Sequence, residues 1–341
     1  VQEQQLRVGL IGAGKMGADH ALRLRERISG VRLAAVADPD LDRARQVAGS
    51  CGARAAADAF EVIDDSAVDA LVIASPGAVH EPLLLAAVER GVPVLCEKPL
   101  TPDAKSSLRV VEAEEARGKH LLQVGFMRRF DAEYAELKRL LDAGDLGTPL
   151  MLHCVHRNAA TPPGFTSEMM IYDSVVHEFD TARWLLDSEI AAVEVRAPRS
   201  SSEAPEGLLD PQLVTIETTS GALVDVEIFV NCGFGYQVRC EAVGERGTAL
   251  IGAEGGPLVH GGGRWGGFIS DDFRGRFGAA FDREFQRWAD AARQGRTDPA
   301  AATAWDGYAA AAACEAGVRA QTDEARAEVE LVERPDFYTR T

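Results

Sequence analysis

The string Gly12-Ala13-Gly14-Lys15-Met16-Gly17 constrains the fold more than any other stretch of the chain. It follows an apolar run, Leu6-Arg7-Val8-Gly9-Leu10-Ile11, that reads as a buried strand, and a helical pattern starts where it ends. In a strand–turn–helix context the first glycine makes the turn and the second lets the backbone approach a pyrophosphate. The third lets helix and strand pack closely. The free N–H groups and partial positive charge of the helix N-terminus suit phosphates. Lys15 and Met16 therefore join Gly12, Gly14 and Gly17 as candidate cofactor contacts. The plain alternative, a βα turn with surplus glycines, is weakened by a second signal. The run Val31 to Ala37 ends in Asp38, about 20 residues past the third glycine, as a dinucleotide fingerprint requires. A carboxylate at that strand tip accepts hydrogen bonds from ribose hydroxyls and repels a 2′-phosphate, which points to NAD rather than NADP. Pro39 stands where a phosphate site favours Arg or Ser, whereas Arg43 and Arg45 nearby pull the other way. A turn-and-cap role for Asp38-Pro39-Asp40 is compatible with the cofactor role.

From Leu6 to about Val124, short apolar runs alternate with helical segments. Leu71–Ala74, Val92–Cys96 and Leu121–Val124 read as strands. Pro82 to Arg90 (ended by Gly91) and Pro102 to Arg117 (ended by Gly118) read as helices with proline at the start and glycine past the end. Such alternation predicts an α/β, doubly wound parallel sheet, whose ligands lie beyond the carboxyl ends of the strands. That singles out three loops: the glycine turn, Ser75-Pro76-Gly77 with His80, and Glu97-Lys98-Pro99. Ser75, Pro76, His80 and Glu97 are accordingly candidate cofactor contacts.

After Gly125 the pattern changes. A helix from Ala132 to Leu141 leads to an alternating strand, Leu150 to Arg157, and Asp173 to Leu186 reads as helical. Five β runs follow (Ile190–Val195, Leu213–Thr218, Leu223–Val230, Val238–Val243 and Gly247–Ile251), with turns at Ser220-Gly221 and Glu245-Arg246-Gly247. They predict an α+β domain built on a large, mostly antiparallel open sheet. The expected division is a nucleotide-binding domain over residues 1–125 and a substrate-binding and oligomerisation domain over 126–341. The late helices, within 277–322, are candidates to pack back on the first domain. One carries Phe277, Phe281, Trp288 and Ala292; the other is expected to start at Pro299 behind a Thr297 or Asp298 cap. The glycine-rich piece from Gly255 to Gly267 reads as a loop.

At 341 residues, 46% hydrophobic and 26% charged, the chain is long enough for two ordinary globular domains. A formal charge of -17 argues against nucleic acid or an anionic membrane as partner. Six cysteines without a C-x-x-C pair read as free thiols of a reducing compartment. The polar start, Val1 to Gln5, does not resemble a signal peptide, although without an initial Met residues can precede it; a cytoplasmic location is the expectation.

Asp173, His177 and Asp180 form the strongest chemical group outside the glycine turn. Helical spacings of four and three put them on one arc, with Val175, Phe179, Ala182 and Leu186 on the other. They are either a solvated helix face or an acid–base set, since an imidazole suits removal of an alcohol proton and a neighbouring carboxylate would orient it. Lys98 is one of only five lysines in an arginine-rich chain. At a strand's carboxyl end its ammonium is placed to hydrogen-bond a reacting oxygen, and Lys98–Pro99 is a candidate cis peptide. His153 and His156 fall on opposite strand faces and cannot chelate together, so no metal is expected. His156 is either a satisfied half-buried histidine or a binding residue.

The stretches VGLIGAGKMGADH (Val8–His20), VADPD (Val36–Asp40), EKPL (Glu97–Leu100), VGFMRRFD (Val124–Asp131), HRN (His156–Asn158), DSVVHEFD (Asp173–Asp180) and DGYAAAAACEAG (Asp306–Gly317) together resemble the Gfo/Idh/MocA oxidoreductases, and within them the inositol-oxidising branch. The resemblance implies an NAD-dependent dehydrogenase that converts myo-inositol to scyllo-inosose. It implies His177 as general base assisted by Asp173, and Lys98 at the reacting oxygen and nicotinamide. Arg128, His156, Asp180 and Tyr236 would bind ring hydroxyls, with Met127 and Asn158 as further substrate contacts. It also implies a homo-oligomer, commonly a tetramer packed through the open sheet face. The alternatives are the same scaffold acting on scyllo- or chiro-inositol, an aminocyclitol or an aldopyranose, and a non-catalytic NAD-binding regulator.

Overall fold

In the computed structural model, which describes residues 5–253, 259–261 and 264–339, every strand of the first 125 residues runs the same way. The elements are β1 (Leu6–Ile11), α1 (Lys15–Glu26), β2 (Val31–Ala37), α2 (Leu41–Cys51), β3 (Arg54–Ala56), α3 (Ala59–Ile63), β4 (Ala70–Ile73), α4 (His80–Arg90), β5 (Val94–Glu97), α5 (Ala104–Arg117) and β6 (Leu122–Gly125). Their sheet order, β3-β2-β1-β4-β5-β6, reverses direction between β1 and β4, which is where doubly wound sheets bind ligands. Because both faces of such a sheet are covered, the strands read as continuous apolar runs; β4, β5 and β6 are buried throughout. Asp40, Asp58 and Asp103 cap α2, α3 and α5 with their side chains. The helix expected from Pro102 thus starts two residues later, at the residue following its aspartate cap.

The chain then forms α6 (Ala132–Asp142), β7 (Pro149–Arg157), a short α7 (Ser167–Met169), a π-helical turn (Met170–Val175) and α8 (Val176–Leu186). β8 (Ile190–Arg196), β9 (Gln212–Thr218), β10 (Leu223–Phe229), β11 (Gln237–Gly244) and β12 (Gly247–Ile251) follow. Part of the expected 255–267 loop is a two-stranded ribbon, β13 (Val259–Gly261) with β14 (Arg264–Gly266); residues 254–258 and 262–263 lie outside the described residues. Two long helices, α9 (Phe273–Arg293) and α10 (Ala304–Asp323), and a short β15 (Ala327–Glu328) complete the set. The expected start of α10 at Pro299 is corrected to Ala304. A reciprocal cap decides it: Thr303 N–H donates to the Asp306 carboxylate (2.8 Å) while Asp306 N–H donates to Thr303 Oγ1 (3.3 Å). Asp298 instead accepts from Ala300 N–H in a separate turn (2.8 Å).

The chain divides into two compact units. The first comprises Val1–Arg129, Ala280–Ala311 and Val332–Thr341, and the second Phe130–Ala279 and Ala312–Leu331. The core of the first joins Val8, Leu10, Leu24, Val36 and Val72 to Phe285 and Trp288 of α9. Near the C-terminus, Tyr338 Oη donates to the buried Glu114 carboxylate (2.6 Å). In the second unit the sheet order is β12-β11-β7-β10-β9-β8-β15, antiparallel except for β7 against β10. One face is buried, carrying Leu152, Cys154 and His156, Val224, Val226 and Ile228, and Val238, Cys240 and Ala242. The other carries polar pairs, among them His153 with Asp225 and Arg157 with Glu227 (2.6 Å). No helix among the described residues is long and apolar enough to cross a membrane.

Candidate active site

In the first unit the glycine turn is fixed by backbone geometry. Gly12 has φ +96°, a region open chiefly to glycine, and a Cβ on Gly17 would lie 1.9 Å from the Gly12 carbonyl oxygen. Gly14 differs, because its φ is −67° and a Cβ there would meet no atom within 4 Å. Neither backbone nor packing calls for glycine at 14, and close approach of a pyrophosphate to the backbone does. α1 begins there with no side-chain cap and no acidic residue in its first turn, which leaves its N-terminus to an anion. Asp38, buried at the end of β2, accepts from Ala13 N–H (2.8 Å) and Asp40 N–H (2.9 Å). It thereby ties the turn to the second strand, and its carboxylate keeps acceptor capacity for ribose hydroxyls. Arg43 lies 3.6 Å from Asp38 and 3.2 Å from Asp40, held by carboxylates. An open groove of about 560 Å³ runs beside the turn, lined by Gly14, Lys15, Ala18, Arg43 and Val47 among others. Lys15 and Pro39 are exposed and Met16 half-buried.

The other two loops are joined by a histidine. His80 is wholly buried, its Nδ1 2.8 Å from the Pro99 carbonyl and its Nε2 2.9 Å from the Ser75 carbonyl. Both ring nitrogens of this expected cofactor contact are thus engaged with backbone, and the ring straps one loop to the other. Ser75 Oγ is buried with no hydrogen-bond partner among the described residues, which fits a polar ligand at that loop. Pro76 is exposed. The Lys98–Pro99 peptide is cis, and Lys98 is half-buried. Burial drives the Glu97 carboxyl upward, yet its hydrogen bond from His20 and the nearby Lys98 ammonium hold it below the usual carboxylate range. Burial pushes the adjacent Cys96 thiol well up, which makes it a packing residue. Met127 and Arg128 are buried in the short helical turn after β6. Together the glycine cradle, the Asp38 carboxylate and the orphaned Ser75 hydroxyl fit a dinucleotide.

The second unit gathers a different set. α8 is buried on all sides from Val176 to Leu185, so the solvated-face alternative for His177 and Asp180 does not hold. His177 is 8% and Asp180 1% exposed. Asp173 is exposed and lies in the π-helical turn, so its spacing of four from His177 does not span a single regular α turn. His156 comes up from the buried face of β7 with its ring 6.4 Å from that of His177 and 6.0 Å from that of Tyr236. Tyr236, just ahead of β11, is buried and donates its backbone N–H to Ser270 (2.6 Å). Asn158 is half-buried, its backbone bonded to Phe229 (2.9 Å) and Cys232 (3.0 Å).

Glu178 is the member that sequence reasoning passed over. It is 1% exposed and its oxygens lie 3.1 and 3.2 Å from His156 Nδ1. A carboxylate accepts only, so His156 donates from Nδ1 and its ring is oriented by Glu178. The available signal was the crowding of polar residues at 177, 178, 180, 181 and 183 in an otherwise apolar helix. Among the described residues no cluster suited to a metal ion occurs.

Residues 6–126 match the oxidoreductase family with an NAD-binding Rossmann fold, and residues 134–250 match the Gfo/Idh/MocA C-terminal domain. The chain is 67% identical over 339 residues to inositol 2-dehydrogenase 4 of Saccharopolyspora erythraea, covering 99% of this chain and 100% of that protein. It is 56% identical to inositol 2-dehydrogenase of Streptomyces avermitilis, covering 98% and 97%. Among solved structures it resembles myo-inositol dehydrogenase of Lactobacillus casei in complex with NAD(H) and myo-inositol. The TM-score is 0.95 at 33% identity, over 98% of this chain and 100% of that one.

Proposed function

The chain belongs to the Gfo/Idh/MocA oxidoreductases, as an NAD-dependent dehydrogenase acting on CH–OH groups, and from that premise we propose that it oxidises myo-inositol to scyllo-inosose. The observation that carries the choice of substrate is the buried polar cluster of His156, His177, Glu178 and Tyr236. A ring bearing a hydroxyl on every carbon needs donors and acceptors in a water-poor setting, whereas a simple alcohol does not. The relatives named as inositol 2-dehydrogenases support the same substrate.

NAD, when bound, supplies the hydride acceptor. His177 takes the hydroxyl proton at a ring nitrogen, with Asp173 as its assisting carboxylate. Lys98 donates a hydrogen bond to the same oxygen and stabilises the negative charge that develops there. Arg128, His156, Asp180 and Tyr236 hold the remaining hydroxyls, while Met127 and Asn158 complete the contact surface. On the cofactor side Gly12, Gly14 and Gly17 shape the turn, with Lys15 and Met16 opening α1 and Asp38 on the ribose. Ser75, Pro76 and Glu97 line the neighbouring loops, and His80 acts by holding them together. Self-association falls to the polar face of the second unit's sheet, where Leu213, Leu223 and Leu250 stand exposed.

The test is a spectroscopic screen of NAD reduction across inositol isomers and aldoses, repeated with NADP. Fastest turnover on myo-inositol with NAD is expected. Turnover on glucose without any on inositols would replace the substrate, and equal use of NADP would remove the Asp38 argument.

A further inference from the structure

The helix that opens at the glycine turn carries a buried polar chain that neither packing nor cofactor binding accounts for. His20 is fully buried on α1, and its Nε2 lies 2.6 Å from Oε1 of Glu97, the residue before Lys98. Its Nδ1 lies 2.9 Å from a terminal guanidinium nitrogen of Arg23. A guanidinium has no acceptor, so His20 Nδ1 accepts from Arg23 and the ring proton sits on Nε2, which donates to Glu97. Arg23, 4% exposed, is itself held from two sides, by Asp19 one turn back (2.7 Å) and by Asp282 of α9 (2.8 Å). Its guanidinium lies 5.0 Å from the ring centre of Phe281 and 5.7 Å from that of Phe285. The His20 ring is 4.5 Å from Phe285.

Among those aromatic rings an apolar side chain would fill the same space without the desolvation that a buried imidazole and guanidinium incur. What the polar chain adds is direction: each member fixes the donor or acceptor sense of the next, and the last contact falls on a single oxygen of Glu97. We propose that His20 is a positioning residue for the dehydrogenase reaction, holding the Glu97 carboxylate and with it the adjoining Lys98, with Arg23 and Asp282 setting the tautomer that makes this possible. The proposal rests on the role assigned to Lys98 above. It extends the working parts of the site along α1 to α9, 259 residues further along the chain from Arg23.

The test compares His20→Leu, His20→Gln, Glu97→Ala and the double variant His20→Leu/Glu97→Ala in the full-length protein. His20→Leu is expected to lower kcat roughly tenfold to a hundredfold while the KM for NAD stays within about threefold. His20→Gln, which restores an N–H donor toward Glu97, recovers most of the loss. The double variant is no slower than Glu97→Ala alone, because both changes cut one chain of contacts. A purely structural role predicts additive losses, or a lowered melting temperature with kcat unchanged, and either result overturns the proposal. The imidazole nitrogen resonances of isotope-labelled histidine, with His20 assigned by its absence in His20→Gln, report the tautomer without any substrate. A proton on Nε2 that responds to Glu97→Ala is expected, and a proton on Nδ1 overturns the proposal. If the wild type oxidises no polyol at all, the substrate assignment fails by itself and this spectrum decides the chain of contacts.

Discussion

The two units solve the problem of building a site in opposite ways. In the first, the glycine turn and Asp38 lie within one β–α–β segment, and the turn presents bare backbone at Gly12, Gly14 and Gly17 together with the uncapped start of α1. In the second, the candidate residues His156, His177, Glu178 and Tyr236 come from a strand, a helix and the segment just ahead of β11, and they are brought together by their side chains. A backbone site is tolerant of side-chain identity except where a Cβ would intrude. A side-chain site depends on every partner being satisfied in the interior. Substitutions should therefore separate cofactor binding from stability in the first unit, and substrate handling from cofactor binding in the second.

The largest effect belongs to the second unit. His177→Ala should lower kcat by about 10²- to 10⁴-fold with NADH affinity, read by fluorescence titration, unchanged. Near-normal turnover at neutral pH would remove it as the base. In the first unit two glycines give a sharper contrast. Gly17→Ala forces a Cβ against the Gly12 carbonyl and should cost about 1–3 kcal/mol in denaturant unfolding. Gly14→Ala meets open space and should leave stability within about 0.5 kcal/mol while weakening NAD binding roughly tenfold or more. If both lose stability alike, the space above Gly14 is not reserved for a ligand.

Glu178→Gln should raise the KM for the polyol a few-fold, since the neutral amide orients His156 less firmly, with little change in the KM for NAD. The smallest effects concern stability alone. Burial raises the Glu114 carboxyl pKa against the bonds from Tyr338, Leu121 and Leu122 that lower it. A carboxyl raised in the folded state stabilises fully below its unfolded pKa of about 4.3, and that contribution fades as pH rises through the higher folded value. Glu114→Gln should flatten this part of the pH–stability profile. Tyr338→Phe should cost about 1 kcal/mol through loss of the hydroxyl bond.

What could be read from sequence follows the same contrast. The glycine string and Asp38 were legible because their meaning is local, and alternation marked β7 to β12 because one face of their sheet is buried. Glu178 escaped a reading by helical arcs because α8 is enclosed on every side, so a residue off the arc of His177 and Asp180 is buried as well. The π-helical turn hides for a similar reason, since it breaks the period on which the arc of Asp173, His177 and Asp180 was drawn. The start of α10 turned on the pairing of Thr303 with Asp306, which competed with a proline that looked like a start signal. The parallel pairing of β7 with β10 and the contact of Arg23 with Asp282 join residues far apart in sequence, which no local pattern encodes.

The central proposal is that the His177 imidazole and the Lys98 ammonium act on one alcohol. A crystal structure of the protein with NADH and myo-inositol tests it directly. The prediction is a single hydroxyl oxygen within about 3 Å of both a His177 ring nitrogen and Lys98 Nζ. An inositol bound with either group out of hydrogen-bond reach of the reacting hydroxyl would contradict it.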